Sequence, residues 1–165
     1  MSRMIILRGN SGSGKTSAAR ALQKRFGSNT MLISHDMIRM QVLHVWGREG
    51  IEKSQPLLME LVKYGNQHSA VTILEGILDS KEYRTLFECC VETFGNSIDA
   101  YCYDLPFEET LKRHQTKPNR EEFGEEDMRR WWCEKDYLPM ISETILTKDI
   151  SLDEAVEMIW RKADG

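Results

Sequence analysis

The sequence has few residues of the kinds that stabilise small secreted proteins or span membranes. It contains four cysteines in 165 residues, two of them adjacent at Cys89 and Cys90, and no Cys-x-x-Cys pair. It therefore predicts neither a disulfide framework nor a cysteine-ligated metal site. No apolar run approaches the roughly 20 residues of a membrane-spanning helix. We expect a cytoplasmic protein with reduced thiols and no membrane partner.

The chain also has no excess of positive charge. Its 22 Lys and Arg residues and 26 Asp and Glu residues give a formal net charge of −4. Because proteins dedicated to nucleic acid normally carry a basic face, a nucleic-acid partner is not expected. Proline is scarce, with 4 residues, and no repeat or linker-like stretch interrupts the chain. This predicts a single domain spanning residues 1–165.

Short apolar runs alternate along the chain with segments of helical periodicity. The runs predict strands at Met4–Arg8, Asn29–Ser34, Ala70–Gly76, Ile98–Pro106 and Glu143–Asp149. The periodic segments predict helices at Thr16–Phe26, Met37–Trp46, Gln55–His68, Ser80–Phe94 and Phe107–Gln115, and a last helix capped by Ser151 and Glu154. This alternation predicts an α/β fold with a mostly parallel sheet and helices on both faces.

Glycine is concentrated between the first predicted strand and the first predicted helix. Residues 9–16 read Gly-Asn-Ser-Gly-Ser-Gly-Lys-Thr, the GxxxxGK[ST] pattern of a phosphate-binding loop. Bare backbone can wrap a phosphate with its N–H groups, and the helix N-terminus adds a positive dipole end. Lys15 is expected to reach the β- and γ-phosphates and Thr16 to bind Mg²⁺. The loop residues predicted to bind ATP are Gly9, Asn10, Ser11, Gly12, Ser13, Gly14, Lys15, Thr16 and Ser17.

Acidic residues lie at the carboxyl ends of three predicted strands, at the sheet edge where this loop lies and where α/β proteins bind ligands. Asp36 is the candidate base that orients or deprotonates an acceptor hydroxyl, or else it caps the next helix. Glu75 would order Mg²⁺ through water or hold a substrate hydroxyl, or else it bonds a loop N–H. Asp104 is more typical of a turn. The sequence leaves open whether Asp36 or Glu75 is the base.

Residues 116–130 are polar, charged and interrupted by a proline and a glycine. This composition predicts a mobile lid whose arginines stabilise a transferring phosphoryl group. The alternative is that its Glu–Arg pairs belong to ordinary solvated helices. Arg120 is expected to be catalytic, and Arg113, just before the segment, to bind ATP. The sequence does not rank Arg129 and Arg130.

An acceptor pocket is expected between the helix that carries Asp36, the helix Gln55–His68 and the lid. Its candidate lining consists of methionine, histidine and aromatic side chains: Met37, Met40, His44, Trp46, Tyr64, His68 and Tyr83. The alternative is that such residues pack in the core. Of the adjacent Trp131 and Trp132, one is expected to face inward and the other to cover the site.

Together these motifs resemble a group of small P-loop kinases that includes zeta toxins, chloramphenicol phosphotransferase, gluconate kinase and the kinase domain of polynucleotide kinases. Bacterial proteins of this kind are often labelled uridine-kinase-like. The resemblance spans nearly the whole chain and rests on GNSGSGKTS, SHDMIR, ILEG and LPFEETLKRHQTKPN. It implies a three-layer fold with strand order 2-3-1-4-5, ATP as donor and a helical lid. It places the catalytic aspartate at Asp36 and a substrate-binding arginine at Arg39. Glu75 departs from the aspartate usual at its position.

We therefore predict an ATP- and Mg²⁺-dependent kinase that phosphorylates a hydroxyl of a small molecule, such as a nucleoside, a sugar or an antibiotic-like alcohol. Asp36, Arg39 and Glu75 would contact the acceptor, and the enzyme would be a monomer or homodimer. One alternative is a kinase for polynucleotide 5′-hydroxyls, which needs a basic path with stacking platforms. Another is a regulatory P-loop ATPase without a phosphoryl acceptor, in which Asp36 would have no role.

Overall fold

The computed structural model describes residues 2–118 and 120–165, and within them one five-stranded sheet runs through the molecule. Its strands are β1 (Arg3–Arg8), β2 (Thr30–Ser34), β3 (Val71–Gly76), β4 (Ile98–Tyr103) and β5 (Glu143–Leu146). All neighbouring strands pair in parallel, in the order β2-β3-β1-β4-β5. The α/β class and the strand order 2-3-1-4-5 are confirmed.

Helices cover both faces of this sheet. They are α1 (Lys15–Phe26), α2 (His35–Met37), α3 (Gly47–His68), α4 (Arg84–Phe94), α5 (Phe107–His114), α6 (Glu125–Arg130) and α7 (Leu152–Asp164), with a π-helical turn at Ile38–Val42. The predicted cap of α7 is confirmed, because Ser151 Oγ accepts a hydrogen bond from the Glu154 N–H at 3.1 Å. In the described ranges, no helix is both long and apolar enough to cross a membrane.

Alternate residues of β1 face two separate hydrophobic cores. Met4 and Ile6 pack with residues of α3 and α4, whereas Ile5 and Leu7 pack with residues of α1 and α7. All four side chains are fully buried, as expected for a parallel strand covered on both faces. The central strand is thus a rigid base for the glycine-rich loop that follows it.

The region between β2 and β3 differs from its prediction. The helix predicted at Met37–Trp46 is instead the short α2 with a π-helical turn, and α3 begins at Gly47 rather than Gln55. Residues 47–54 contain two glycines and little apolar periodicity, so their helical propensity is low. Gly50 is buried and packs closely against the π-helical turn, since a Cβ there would lie 2.9 Å from Arg39 Cδ.

Three other element boundaries are also wrong. Helix α4 begins at Arg84 rather than Ser80, because Asp79 Oδ1 accepts hydrogen bonds from the backbone N–H groups of residues 81 and 82. Such side-chain turns compete with helix formation. Strands β4 and β5 end at Tyr103 and Leu146, short of the predicted Pro106 and Asp149.

Candidate active site

The glycine-rich loop joins β1 to α1 and closes around its own lysine. Gly12 has a φ of 81°, and a Cβ there would come within 2.5 Å of the Thr110 carbonyl oxygen of α5. Only glycine fits this left-handed, closely packed position. At the start of α1 the buried Lys15 turns back over the loop, and its Nζ donates to the Asn10 carbonyl at 3.2 Å. The loop is therefore shaped as a cradle with an ammonium group at its centre.

Glu75 is the last but one residue of β3, lies beside Thr16 of the glycine-rich loop and is only 2% exposed. Its Oε2 accepts a hydrogen bond from Thr16 Oγ1 at 2.9 Å, and its Oε1 accepts one from Ser34 Oγ at 2.7 Å. The parallel register sets Ser34 beside Glu75. Both carboxylate oxygens therefore accept hydrogen bonds from hydroxyl groups. The alternative that Glu75 bonds a loop N–H group is not what the structure has.

These oxygen atoms fit a magnesium ion held by Thr16 directly and by Glu75 through water, because Mg²⁺ prefers oxygen ligands and keeps several waters. In the described part of the chain, no three His, Cys, Asp or Glu side chains converge to hold a metal ion. A magnesium ion here would therefore take most of its ligands from water and from phosphate.

Asp36 lies in the first turn of α2, and Ser34 rather than Asp36 occupies the cap position. Its side chain is 50% exposed, and its Oδ1 faces Arg39 Nη2 at 3.4 Å and His35 Nδ1 at 3.7 Å. Among the described residues nothing donates a hydrogen bond to Oδ2. One carboxylate oxygen is therefore oriented by the protein, and the other is free to accept a substrate hydroxyl.

A cavity of about 360 Å³ lies beside Asp36, within the size range of small-molecule sites. Ser11 of the glycine-rich loop, Asp36 and Arg39 are among the polar residues that line it. Its other walls come from α3, from the connection after β3 and from the segment around α6. These walls are lined by His35, Met40, Ile51, Ile77, Leu78, Asp79, Glu82, Tyr83, Phe123, Arg130, Trp131, Trp132 and Cys133. We call this the acceptor cavity.

Of the seven side chains predicted to line such a pocket, only Met40 and Tyr83 do so. The prediction is wrong for the others: Met37, His44, Trp46, Tyr64 and His68. Trp46 and Tyr64 are more than half exposed and pack against neighbouring histidine rings. The reason is that the cavity borders residues 77–83 after β3 rather than the middle of α3. Both Trp131 and Trp132 line it, although only one was expected to face inward.

A second cavity, of about 390 Å³, lies at the start of α1 and is lined by Gly14, Ser17, Tyr103, Arg113, Thr116, Lys117, Pro118 and residues 150–152. We call it the donor cavity. Arg113 Nη1 donates to the Ser13 carbonyl at 2.8 Å, and its Nε donates to Glu109 at 3.1 Å. Arg113 thus lies against the glycine-rich loop. The two cavities contact this loop at different residues, Ser11 in one and Gly14 in the other.

The predicted lid, residues 116–130, contains α6, and Asn119 within it lies outside the described residues. Arg120, expected to be catalytic, is exposed and donates to the Lys117 carbonyl at 3.4 Å. It lies outside the site in this conformation because that turn faces solvent. Lys117 is partly buried near the loop instead. Burial lowers the pKa of Lys117, the charge of Lys15 lowers it further, and Glu75 raises it.

Lys117 is one of five Lys and Arg residues between positions 113 and 130, of which the sequence favoured Arg113 and Arg120. It lies four residues after Arg113, beyond the end of α5, and both side chains line the donor cavity. The remaining lid arginines make local pairs: Arg129 with Glu125 at 3.5 Å and Arg130 with Asp127 at 2.6 Å. Of these two, only Arg130 lines the acceptor cavity.

Two further contacts that hold the site together were not predicted. Asn10 Nδ2 donates to the Cys133 carbonyl at 2.9 Å, and Asn10 Oδ1 accepts from the Cys133 N–H at 2.7 Å. The buried Arg8 donates to Asp136 Oδ2 at 2.5 Å and to Glu143 Oε2 at 2.9 Å. Both contacts tie the region of the glycine-rich loop to the segment after α6.

Comparison with known proteins gives a local sequence match and a global structural match. A sequence model of the chloramphenicol phosphotransferase-like protein family matches residues 2–72, less than half of the chain. None of the curated proteins searched matches the chain significantly. The APS kinase CysC of Mycobacterium tuberculosis, in complex with AMPPNP and APS, has a TM-score of 0.68 at 18% identity. That alignment covers 99% of this chain and 98% of CysC.

Two further solved kinases match at similar levels. A sugar kinase of Janibacter sp. HTCC2649, in an unliganded structure, has a TM-score of 0.67 at 18% identity and covers 99% of this chain and 95% of its own. A gluconokinase of Sinorhizobium meliloti 1021 has a TM-score of 0.64 at 16% identity and covers 98% of this chain and 94% of its own. The chain has the P-loop kinase fold.

The resemblance to small P-loop kinases that the motifs indicated is confirmed at the level of the fold. The residues matched by the family model include the glycine-rich loop, Asp36 and Arg39. In this P-loop kinase fold, the glycine-rich loop, the buried Lys15 and the pair of Thr16 and Glu75 lie together at one sheet edge. Such an arrangement can bind phosphate on one side and present a carboxylate to a second molecule on the other.

Proposed function

We propose that this protein is a kinase that transfers the γ-phosphate of ATP to a hydroxyl group of a small molecule. The observation that carries this proposal is the presence of two cavities at the glycine-rich loop. The donor cavity contains Arg113 and Lys117, and the acceptor cavity contains Asp36. A regulatory ATPase needs only the first cavity. The acceptor cavity is lined by Asp36, whose Oδ2 can accept a hydrogen bond, and this favours a kinase.

The charged side chains have roles consistent with phosphoryl transfer. Lys15 and Lys117 bring two ammonium groups toward the loop, where they would stabilise negative charge on the transferring group. Asp36 Oδ2 would accept the hydroxyl hydrogen of the acceptor and orient its oxygen for attack. Magnesium held by Thr16, and by Glu75 through water, would neutralise charge on phosphate oxygens when bound.

The volume and the charged residues of the acceptor cavity indicate the class of acceptor. Its volume of about 360 Å³ suits one nucleoside, sugar or antibiotic-like alcohol. Its arginines, Arg39 and Arg130, share the cavity with Asp36, Asp79 and Glu82. This mixed charge does not form the basic path that a polynucleotide strand requires. We propose that residues 1–165 form one kinase domain in which residues 116–130 close as a lid.

The proposal is tested by measuring ADP release with and without a panel of acceptors. The panel contains nucleosides, sugars, aryl alcohols and an oligonucleotide with a free 5′-hydroxyl. We expect a small alcohol to increase ADP release and to appear as its phosphate ester. Asp36→Asn should bind nucleotide like the parent and lose the acceptor-dependent rate. ADP release that no acceptor changes, and that Asp36→Asn retains, would indicate a regulatory ATPase. Stimulation by the oligonucleotide alone would indicate a polynucleotide kinase.

A further inference from the structure

His35, which directly precedes Asp36, has two ring nitrogens in different surroundings. The residue is 4% exposed. Its Nε2 lies 2.6 Å from the Tyr83 hydroxyl oxygen. Its Nδ1 is buried without a hydrogen-bond partner in the described structure and lies 3.7 Å from Asp36 Oδ1. The transfer proposed above assigns no role to either His35 or Tyr83, although both line the acceptor cavity.

The position of the imidazole ring is built into the fold. Gly76, the last residue of β3, is buried against it, and a Cβ at that position would lie 2.6 Å from His35 Cβ. The ring also packs edge-on against Tyr83, with centroids 4.9 Å apart. The strand end and the aromatic ring therefore fix which nitrogen faces Tyr83 and which faces Asp36.

The charge state of these groups determines where the ring proton lies. Burial lowers the pKa of His35 to about 4, with Arg39 and Lys15 lowering it and Asp36 raising it, so the ring is neutral at pH 7. Burial also raises the pKa of Tyr83, partly offset by the Ser54 hydroxyl, so the phenol keeps its proton. A neutral imidazole carries one N–H and one lone pair. A lone pair on Nδ1 would face the carboxylate of Asp36 and be repelled by it.

We propose that Tyr83 and His35 form a hydrogen-bond relay that positions the Asp36 carboxylate. The Tyr83 hydroxyl donates to Nε2, which places the ring proton on Nδ1, directed at Asp36 Oδ1. Arg39 Nη2 faces the same oxygen at 3.4 Å. With Oδ1 held by these two donors, Oδ2 remains for the acceptor hydroxyl. The relay rests on the proposed kinase function, and His35 acts in it as a positioning residue.

The distance of 3.7 Å between Nδ1 and Oδ1 exceeds a hydrogen bond. Catalytic hydrogen bonds are often long in ligand-free enzymes and shorten when the substrate binds. A small rotation of the half-exposed Asp36 side chain would bring Oδ1 into range without moving the buried ring. The relay therefore acts when the acceptor is bound.

Two amide substitutions at His35 separate positioning from packing. The side-chain amide of His35→Asn can stand in for Nδ1–H and donate to Asp36, whereas that of His35→Gln reaches the position of Nε2 and cannot. We expect kcat to fall by at least about tenfold in His35→Gln, the effect of losing one positioned contact, with KM for ATP nearly unchanged. His35→Asn should retain most of the kcat. Thermal melting checks that both variants fold. An equal loss of kcat in the two variants would overturn the relay.

A second measurement needs no acceptor and therefore separates failure of the relay from failure of the proposed function. Nitrogen-15 NMR of the full-length, ligand-free protein reports which ring nitrogen of His35 carries hydrogen. We expect protonation at Nδ1 in the parent and a mixed population in Tyr83→Phe, which lacks the donor to Nε2. Protonation at Nε2 in the parent would overturn the relay even if a kinase activity is found. Protonation at Nδ1 would support it even if no tested alcohol is phosphorylated.

Discussion

At the scale of single residues, two carboxylates at one sheet edge, those of Asp36 and Glu75, differ in burial and in hydrogen bonding. Glu75 is buried and both its oxygens accept hydroxyl hydrogen bonds. Asp36 is 50% exposed and has one oxygen without a donor. A general base needs a free oxygen within reach of the hydroxyl. We therefore propose that Asp36 is the base of the proposed kinase and that Glu75 orders Mg²⁺.

This assignment predicts different behaviour for two isosteric variants. Asp36→Asn keeps the shape of the side chain but cannot take a proton. It should fold and bind ATP with Mg²⁺ like the parent, while phosphoryl transfer falls on the order of 10²–10⁴-fold. In Glu75→Gln, raising the Mg²⁺ concentration should partly restore the rate. The measurement is kcat for each variant over a series of Mg²⁺ concentrations. If Asp36→Asn retains transfer while Glu75→Gln is inactive at every concentration, Glu75 is the base.

The buried His35 ring makes the stability of the fold depend on pH. The pKa of His35 is 6.5 in the unfolded reference and about 4 in the folded protein. Between these values the unfolded chain binds more protons, so the free energy of unfolding falls as the pH drops from 6.5 to 4. The full loss is about 3 kcal/mol. We expect urea unfolding at pH 7 and pH 4.5 to show a smaller loss in His35→Asn than in the parent. Equal losses in the two proteins would mean that the ring does not titrate in this way.

At the scale of secondary-structure elements, α5 and the turn after it determine which lid cations reach the phosphate loop. Arg113 and Lys117 lie four residues apart and both line the donor cavity. Arg120 lies beyond the helical turn and is exposed. Electrostatic stabilisation requires groups already aimed at the developing charge. The element geometry therefore favours Lys117 as the lid cation.

Lys117→Met should lower kcat by about tenfold to a hundredfold, because one ammonium group near the transferring phosphoryl is lost. Arg120→Met is the matched control, since it removes a positive charge from the same segment at an exposed position. We expect it to leave kcat nearly unchanged. Steady-state kinetics at saturating ATP and acceptor give the kcat of each variant. A larger loss of kcat in Arg120→Met than in Lys117→Met would show that the lid rearranges on binding and brings Arg120 into the site.

The elements also show what sequence patterns can predict. The glycine-rich loop, Asp36 and Glu75 were predicted because each lies at the carboxyl end of a short apolar strand, which is a local signal, and because parallel strand ends meet at one edge of the sheet. The start of α3 was not predicted, because residues 47–54 contain two glycines and have low helical propensity. The Asn10–Cys133 contact joins positions far apart in the chain, and no local pattern encodes such a pairing.

At the scale of the whole molecule, Arg8 joins parts of the chain that are distant in sequence. It ends the central strand and is 1% exposed. Its guanidinium donates to Glu143 of β5, to Asp136 after the lid and to the Leu78 carbonyl. Asp136 in turn accepts hydrogen bonds from the Ser80 backbone N–H and hydroxyl. A single buried cation thus connects the sheet, the segment after α6 and one wall of the acceptor cavity.

Buried ion pairs are costly to leave half-formed, because the remaining charge has no solvent to stabilise it. Glu143→Gln keeps the shape of the side chain but removes one of the two carboxylates that neutralise Arg8, so it should lower the free energy of unfolding by about 3 kcal/mol. Glu88→Gln is the control, since its pair with Arg84 is solvent-exposed and should contribute at most about 1 kcal/mol. Urea unfolding of both variants and the parent at pH 7 gives the two losses. Glu143→Gln should also lower kcat, because Asp136 pairs with the same cation and accepts hydrogen bonds from Ser80, next to Asp79 of the acceptor cavity. Equal, small losses of stability in the two variants would show that Asp136 alone compensates the charge of Arg8.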